Sequence, residues 1–341
     1  MRIMLFLALA TCLSPVILLA QLTERVYLSG TDKDHTVNWD FLIDKGMNSG
    51  EWTTIPVPSN WELEGFGVYN YGRNWPVKQT PSDETGQYRH TFEVPRSWRG
   101  QVIRLVFEGV MTDTEVRVNG KSAGPIHQGS FYRFAYDISD LLRYGRRNRL
   151  EVTVRNWSAN ASVNTAEREA DYWLFGGIYR PVYLAVSPPA HIEWTAIDAR
   201  HGGAFRLLAH GQHFGEASAL EVQVETLDGE AAGPVLRGSR SPGDTTITVS
   251  GQFEGVNSWS PEFPHRYRAR VRLLAGDEVL HQRVETFGFR TVELRERDGL
   301  YVNGVKVMLK GANRHSFWPE SGRCLSPAIS VADVQLMKDM N

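Results

Sequence analysis

The chain has 341 residues, 42% hydrophobic and 22% charged, with a formal net charge of −2. That length suggests two or three domains with ample material for a core. A near-neutral balance without an arginine-rich tract excludes nucleic acid as the expected partner. The 10 Trp and 11% aromatic content suit dense β-sandwich cores or a surface that stacks on sugars.

The chain opens "MRIMLFLALATCLSPVILLAQLTE". One basic residue precedes an apolar run, and small Ala20 stands before Gln21. This predicts a signal peptide over residues 1–20 and an exported protein, periplasmic or extracellular. No second apolar run of about 20 residues follows, so no membrane span is expected. Thr11 is a poor fit in front of a lipid-attachment cysteine at Cys12. With the leader cut, only Cys324 remains, and no internal disulfide is expected.

From Val26 to Ser187 the signals are those of strands. "YRHTFEVP" (88–95), "QVIRLVFEGV" (101–110) and "RLEVTVRNW" (149–157) alternate apolar and polar residues. Asn119-Gly120 sits between two such arms and tolerates the positive φ angles of a tight hairpin. "DISDLLRYG" (137–145) reads as a short helical turn, and no long helix is predicted here. "SPPAH" (187–191) marks a linker, because adjacent prolines lack donor N–H groups. A second β region follows to Arg290, with the length and pattern of an immunoglobulin-like sandwich. After Arg290 the texture changes. "LYVNGVKVMLKG" is a hairpin around Asn303-Gly304, "GANRHSFWPESG" is a loop, and "SVADVQLMKDMN" is a helix. Ser330 and Asp333 form a capping-box-like start, with Val331, Val334, Met337 and Met340 on one face.

Two stretches carry a resemblance. "GANRHSFWP" (311–319), preceded by "FGFR" (287–290), is similar to the barrel entry of glycoside hydrolase family 2, the family of β-galactosidases, β-glucuronidases and β-mannosidases. "DYWLFGGIYRPVYL" (171–184) resembles the end of that family's N-terminal sugar-binding domain. The β-galactosidase branch is nearest in texture. The resemblance implies a mostly β chain: a jelly roll over 21–188, an immunoglobulin-like sandwich over 189–290, and the start of a (β/α)8 barrel over 291–341. It also implies a retaining glycosidase that uses an acid/base Glu and a nucleophilic Glu. Residues 291–341 fall far short of the about 250 that a barrel needs. No Asn-Glu dipeptide of the kind that carries the family's acid/base occurs in the chain. The catalytic pair is therefore expected beyond Asn341, and the 341-residue chain by itself is expected to be inactive.

The resemblance assigns substrate binding to three residues. His315 follows the first barrel strand, where a donor meets a sugar hydroxyl. Asp171 lies on a jelly-roll loop that reaches toward the barrel, where its carboxylate accepts from hydroxyls. In some β-galactosidases that Asp also contacts sodium. Glu167 and Glu169 nearby offer further oxygens or simply form a solvated acidic loop. "GVYNYGRNWPVKQTP" (67–81) resembles a loop with a substrate-binding Asn. The spacing departs by one residue, so Asn70 or Asn74 fits, and Asn70 is preferred. Trp318 floors a sugar subsite or packs. "SFWP" departs from close β-galactosidase relatives and puts galactose specificity in doubt.

No cofactor is required by this reading; sodium or magnesium in the complete enzyme is left open, as is a homo-oligomer. The expected partner is a carbohydrate substrate. "NWS" (156–158) and "NAS" (160–162) match glycosylation acceptors. Cys324 beside Arg323 reads as an inert thiol or one with a lowered pKa. The competing reading is a free-standing carbohydrate-binding or adhesive pair of sandwiches without catalysis.

Overall fold

The structure is a computed structural model that describes residues 22–71, 83–169 and 171–340. The signal-peptide reading, Cys12 and Asn74 lie outside these residues.

The first region carries β1 (Glu24–Tyr27), β2 (Val37–Ile43), β3 (Thr53–Val57), β4 (Asn70–Tyr71), β5 (Thr85–Glu93), β6 (Val102–Phe107), β7 (Asp113–Val118), β8 (Lys121–Ser122), β9 (Phe134–Asp137) and β10 (Arg147–Arg155). Helix α1 (Ala161–Glu167), β11 (Trp173–Leu174) and β12 (Val182–Ser187) complete it. The strands form a four-stranded sheet, β1-β12-β6-β9, facing a six-stranded sheet, β3-β2-β5-β10-β7-β8. Alternation along β10 buries Leu150, Val152 and Val154 and leaves Arg149 exposed, as a strand period of two requires. The shared core holds Trp39, Phe41, Trp61, Tyr88 and Phe107. The turn at Asn119-Gly120 takes φ of 54° and 81°, the left-handed pair that its sequence predicts.

The second region is a smaller sandwich. It comprises β13 (Trp194–Ala199), β14 (Ala204–His210), β15 (Ala219–Glu225), β16 (Leu236–Ser239), β17 (Thr246–Gln252), β18 (Tyr267–Ala275) and β19 (Glu278–Phe287). Sheet β13-β14-β17 faces sheet β16-β15-β18-β19. Phe205, Phe253, Phe287 and Phe289 meet at its centre, with ring centroids 5.2–6.3 Å apart.

The two sandwiches are joined through a buried histidine. His281 Nδ1 accepts from Ile192 N–H at 3.1 Å, and its Nε2 lies 3.1 Å from Thr23 Oγ1. Because Nδ1 accepts, Nε2 carries the proton and donates to Thr23. Arg104 of the first sandwich pairs with Glu193 at the start of the second. Burial pushes the His281 imidazole down to about 3, so the ring is neutral at ordinary pH.

After Arg290 come β20 (Val292–Arg295), β21 (Gly299–Val302) and β22 (Val305–Val307), a three-stranded meander, and then helix α2 (Pro327–Asp339). Three expectations need correction here. The hairpin's second arm ends with β22 at Val307, short of Met308–Lys310, and residues 311–317 form the loop that the sequence predicts. Helix α2 begins at Pro327 with Ser326 as its cap residue, so Ser330 lies inside the helix. Pro is well placed in a first turn, where its missing donor costs nothing. Asp333 pairs with Arg314 rather than closing a capping box. The acceptor reading of "NWS" also fails on burial, whereas Asn160 of "NAS" is exposed. Asn156 is 1% exposed, and Asn160 is the α1 cap, its Oδ1 accepting from Ser162 N–H at 3.0 Å.

Candidate functional site

Strand β4 pairs with β11 in antiparallel register, Asn70 opposite Leu174 and Tyr71 opposite Trp173. This short ribbon brings together two stretches 100 residues apart. The Tyr71 hydroxyl donates to Asp171 Oδ1 at 2.8 Å, so one carboxylate oxygen is held from the neighbouring strand. That bond raises the Tyr71 phenol pKa above its ordinary value. Asp171 itself is exposed and Asn70 is half-buried. Beside them Tyr69 stacks on Trp173 at 4.4 Å, with both rings partly exposed.

The third region reaches the same end of the jelly roll. Cys324 is buried there, its Sγ donating to Pro58 O at 3.3 Å. Burial pushes its thiol up to about 12, which makes it inert. The neighbouring Arg323 N–H donates to Asn60 Oδ1 at 2.8 Å. Gly322 (φ 59°) allows this close approach: a Cβ there would stand 2.6 Å from Asn60 Oδ1 and 3.0 Å from the Phe175 ring. Phe317 packs on Phe175 at 6.0 Å between centroids. The Arg323 guanidinium lies between the Phe131 and Tyr172 rings, 5.0 and 4.7 Å from their centroids. Its partial burial lowers its pKa from the ordinary arginine value.

This docking leads the chain past the jelly-roll loop, so that the His315 ring stands 6.2 Å from the Tyr172 ring, one residue from Asp171. The exposed His315 thus lies beside the residue that follows the exposed Asp171. Trp318 is 40% exposed and its N–H donates to Gly322 O at 2.8 Å; its ring does not pack in the jelly-roll core.

Against the Phe175–Gly176 backbone lies a buried polar layer that the motifs did not reveal. Glu62, Glu84, Asn156 and Arg168 are each at most 5% exposed. Glu62 Oε2 accepts from Gly176 N–H at 3.0 Å, and Asn156 Nδ2 donates to Glu62 Oε1 at 3.3 Å. Arg168 donates from Nη1 to Phe175 O at 2.8 Å and from Nη2 to Asn156 Oδ1 at 2.7 Å. Desolvation pushes the Glu62 carboxyl up to about 8, so it holds a proton at neutral pH. Tyr71 and Arg168 are ordinary residues in sequence; a contact 100 residues away gives Tyr71 its role, and burial on Asn156 and Phe175 gives Arg168 its own.

Among the described residues no group of three or more His, Cys, Asp or Glu side chains is arranged to hold a metal ion. Glu167, a candidate ligand by position, is buried and accepts from Ser130 N–H at 2.8 Å. A cleft of about 780 Å³ lined by Arg96, Arg99 and Tyr144 lies elsewhere. It sits at the far end of β10, roughly 30 Å away by strand rise, and includes none of the candidate residues.

Comparison with known proteins gives one family. Residues 40–188 match the model of the glycosyl hydrolases family 2 sugar-binding domain. Residues 194–290 match the glycosyl hydrolases family 2 model, and residues 292–341 match that family's TIM barrel domain. A β-galactosidase from Pseudoalteromonas haloplanktis is 30% identical over 337 residues, covering 91% of this chain and 31% of the relative. One from Klebsiella pneumoniae is 33% identical, with 89% and 32% covered. The chain therefore spans about a third of the length of these relatives. Among solved structures, a β-glycosidase from Bacteroides vulgatus has the same fold, with TM-score 0.72, 23% identity, and 93% of this chain and 40% of that one covered. A β-glucuronidase from Bifidobacterium dentium matches with TM-score 0.71 and 20% identity, covering 92% of this chain and 56% of that one.

Proposed function

Because this chain belongs to glycosyl hydrolase family 2, we propose that its protein is an exported retaining β-glycosidase in which Asp171, His315 and Asn70 hold the glycone. The observation that supports this reading is the approach of the His315 ring to Tyr172, next to Asp171, although His315 and Asp171 come from different regions. Asp171 accepts from sugar hydroxyls, and Tyr71 fixes one of its oxygens so that the other faces outward. His315 donates to a hydroxyl, where a bond that strengthens in the transition state lowers the barrier. Asn70, on the ribbon that carries Tyr71, adds both a donor and an acceptor.

Bond breaking in a retaining glycosidase needs two carboxyl groups about 5–5.5 Å apart. The residues of this chain bind and orient, and the reading assigns them no chemical step. A sodium ion at Asp171 would need further oxygen ligands beyond the one carboxylate, and no step is routed through it. β-Galactosides are the proposed substrates, by similarity to the two β-galactosidases.

A panel of nitrophenyl β-glycosides, assayed on the protein at the full length of its relatives, tests this. Release from the β-galactoside, with the β-anomer of galactose as first product by proton NMR, is expected. Release from no glycoside would end the enzymatic reading, and α-anomer first would end the retaining one.

A further inference from the structure

From this buried layer, we infer that Arg168 is a positioning residue: its guanidinium ties the two ends of the stretch that carries Asp171. The inference rests on the glycone role proposed for Asp171. Arg168 ends helix α1, three residues before Asp171, and Phe175 follows it by four. A single side chain therefore spans the base of this excursion. Nη1 holds Phe175 O, and Nη2 holds Asn156 Oδ1 at the end of β10. The next backbone group, Gly176 N–H, is taken by Glu62. On the near side, the Tyr172 hydroxyl donates to Glu167 O. Asp171 is thus carried on a short excursion pinned at both ends, and its carboxylate is exposed only at the tip.

Stability alone is a poor explanation for this arginine. It is 1% exposed, and its Nε has no hydrogen-bond partner among the described residues. A buried guanidinium with an unpaired donor is commonly matched or bettered by apolar packing. What apolar packing lacks is the fork that binds two fixed oxygens at once, and lysine lacks it too. The arrangement supplies geometry, which a glycone contact needs. Burial pulls the guanidinium down to about 10, so it remains charged at neutral pH.

The test is a double-mutant cycle on the protein at the full length of its relatives. Arg168→Met, Arg168→Lys, Asp171→Asn and the Arg168→Met/Asp171→Asn pair are assayed on the nitrophenyl glycoside that the wild type cleaves best. Arg168→Met is expected to lower kcat/KM about 10-fold or more. The pair is expected to lose no more than about threefold beyond Asp171→Asn alone, since both changes act through one carboxylate. Losses that multiply in the pair would overturn the inference and leave the Asp171 role standing. Wild-type kinetics in Asp171→Asn would remove the Asp171 role and the inference with it. Hydrogen exchange on the 341-residue chain gives a second readout that needs no activity. Faster exchange at residues 172–176 in Arg168→Lys, with the second sandwich unchanged, is expected. Unchanged exchange there would contradict the pinned excursion.

Discussion

Glu62 shows what a buried layer imposes on a single carboxyl. With Glu84 and one guanidinium sharing the same dry space, a proton on Glu62 is the cheaper state. Its folded pKa of about 8 stands above the ordinary 4.5. The folded state therefore binds the extra proton, and this contribution to stability is full below about pH 4.5 and lost as pH rises through 8. Glu62→Gln keeps the shape and removes the titration. Its stability relative to wild type is expected to rise between pH 5 and pH 8, measured by urea unfolding. No change over that range would mean a carboxylate that is already ionised in the fold. Asp171 and His315 could be proposed because they stand inside recognisable runs, "DYWLFGGIYRP" and "ANRHSFWP". Glu62, Tyr71 and Arg168 could not. Nothing in "WELEGFG" says that Glu62 will meet Asn156 and Gly176, 94 and 114 residues away, and nothing in "AEREADYW" says that Arg168 will be buried on Asn156 and Phe175.

At the scale of elements, strands were easier to read than helices. The alternation in "RLEVTVRNW" fixes which face β10 buries, and Asn-Gly fixes two turns. Helix α1 was missed because seven residues give barely two turns, too few for a period to register. The start of α2 was placed four residues late because Ser330 was weighed above Pro327. The region after Arg290 does not behave as one piece. Met308 and Leu309 are 82% and 79% exposed, whereas Cys324 is 1% exposed against the jelly roll. In the 341-residue chain, limited proteolysis is expected to cut first between residues 308 and 316 or in α2, where Val331 and Met340 are exposed. First cuts within either sandwich would contradict this. His281, at the joint of the sandwiches, gives a pH signature of the opposite sign to that of Glu62. Its folded pKa of about 3 lies below the ordinary 6.5, so its contribution is full above about pH 6.5 and lost as pH falls toward 3. His281→Gln is expected to flatten the stability loss of the second sandwich between pH 7 and pH 4.5. An unchanged slope would mean that the ring is not held neutral.

At the scale of the whole molecule, the third region docks on the first sandwich and brings His315 beside Tyr172. A free-standing pair of sugar-binding sandwiches does not account for residues 292–341, which match a barrel domain and dock through Cys324 and Phe317. The order of the three regions was legible in sequence, because linker, strand and helix textures change at their joins. The docking was not, since it depends on the fit of Gly322 against Asn60. The central claim is that Asp171 and His315 hold one sugar from two regions of the fold. Its most direct test is kcat/KM for Asp171→Asn and His315→Ala in the protein at the full length of its relatives, with melting temperature recorded alongside. Each change is expected to lower kcat/KM about 100-fold, the loss of a hydrogen bond at a charged group plus its positioning effect, while the melting temperature stays close to wild type. Near-wild-type kinetics in either variant would contradict the claim for that residue.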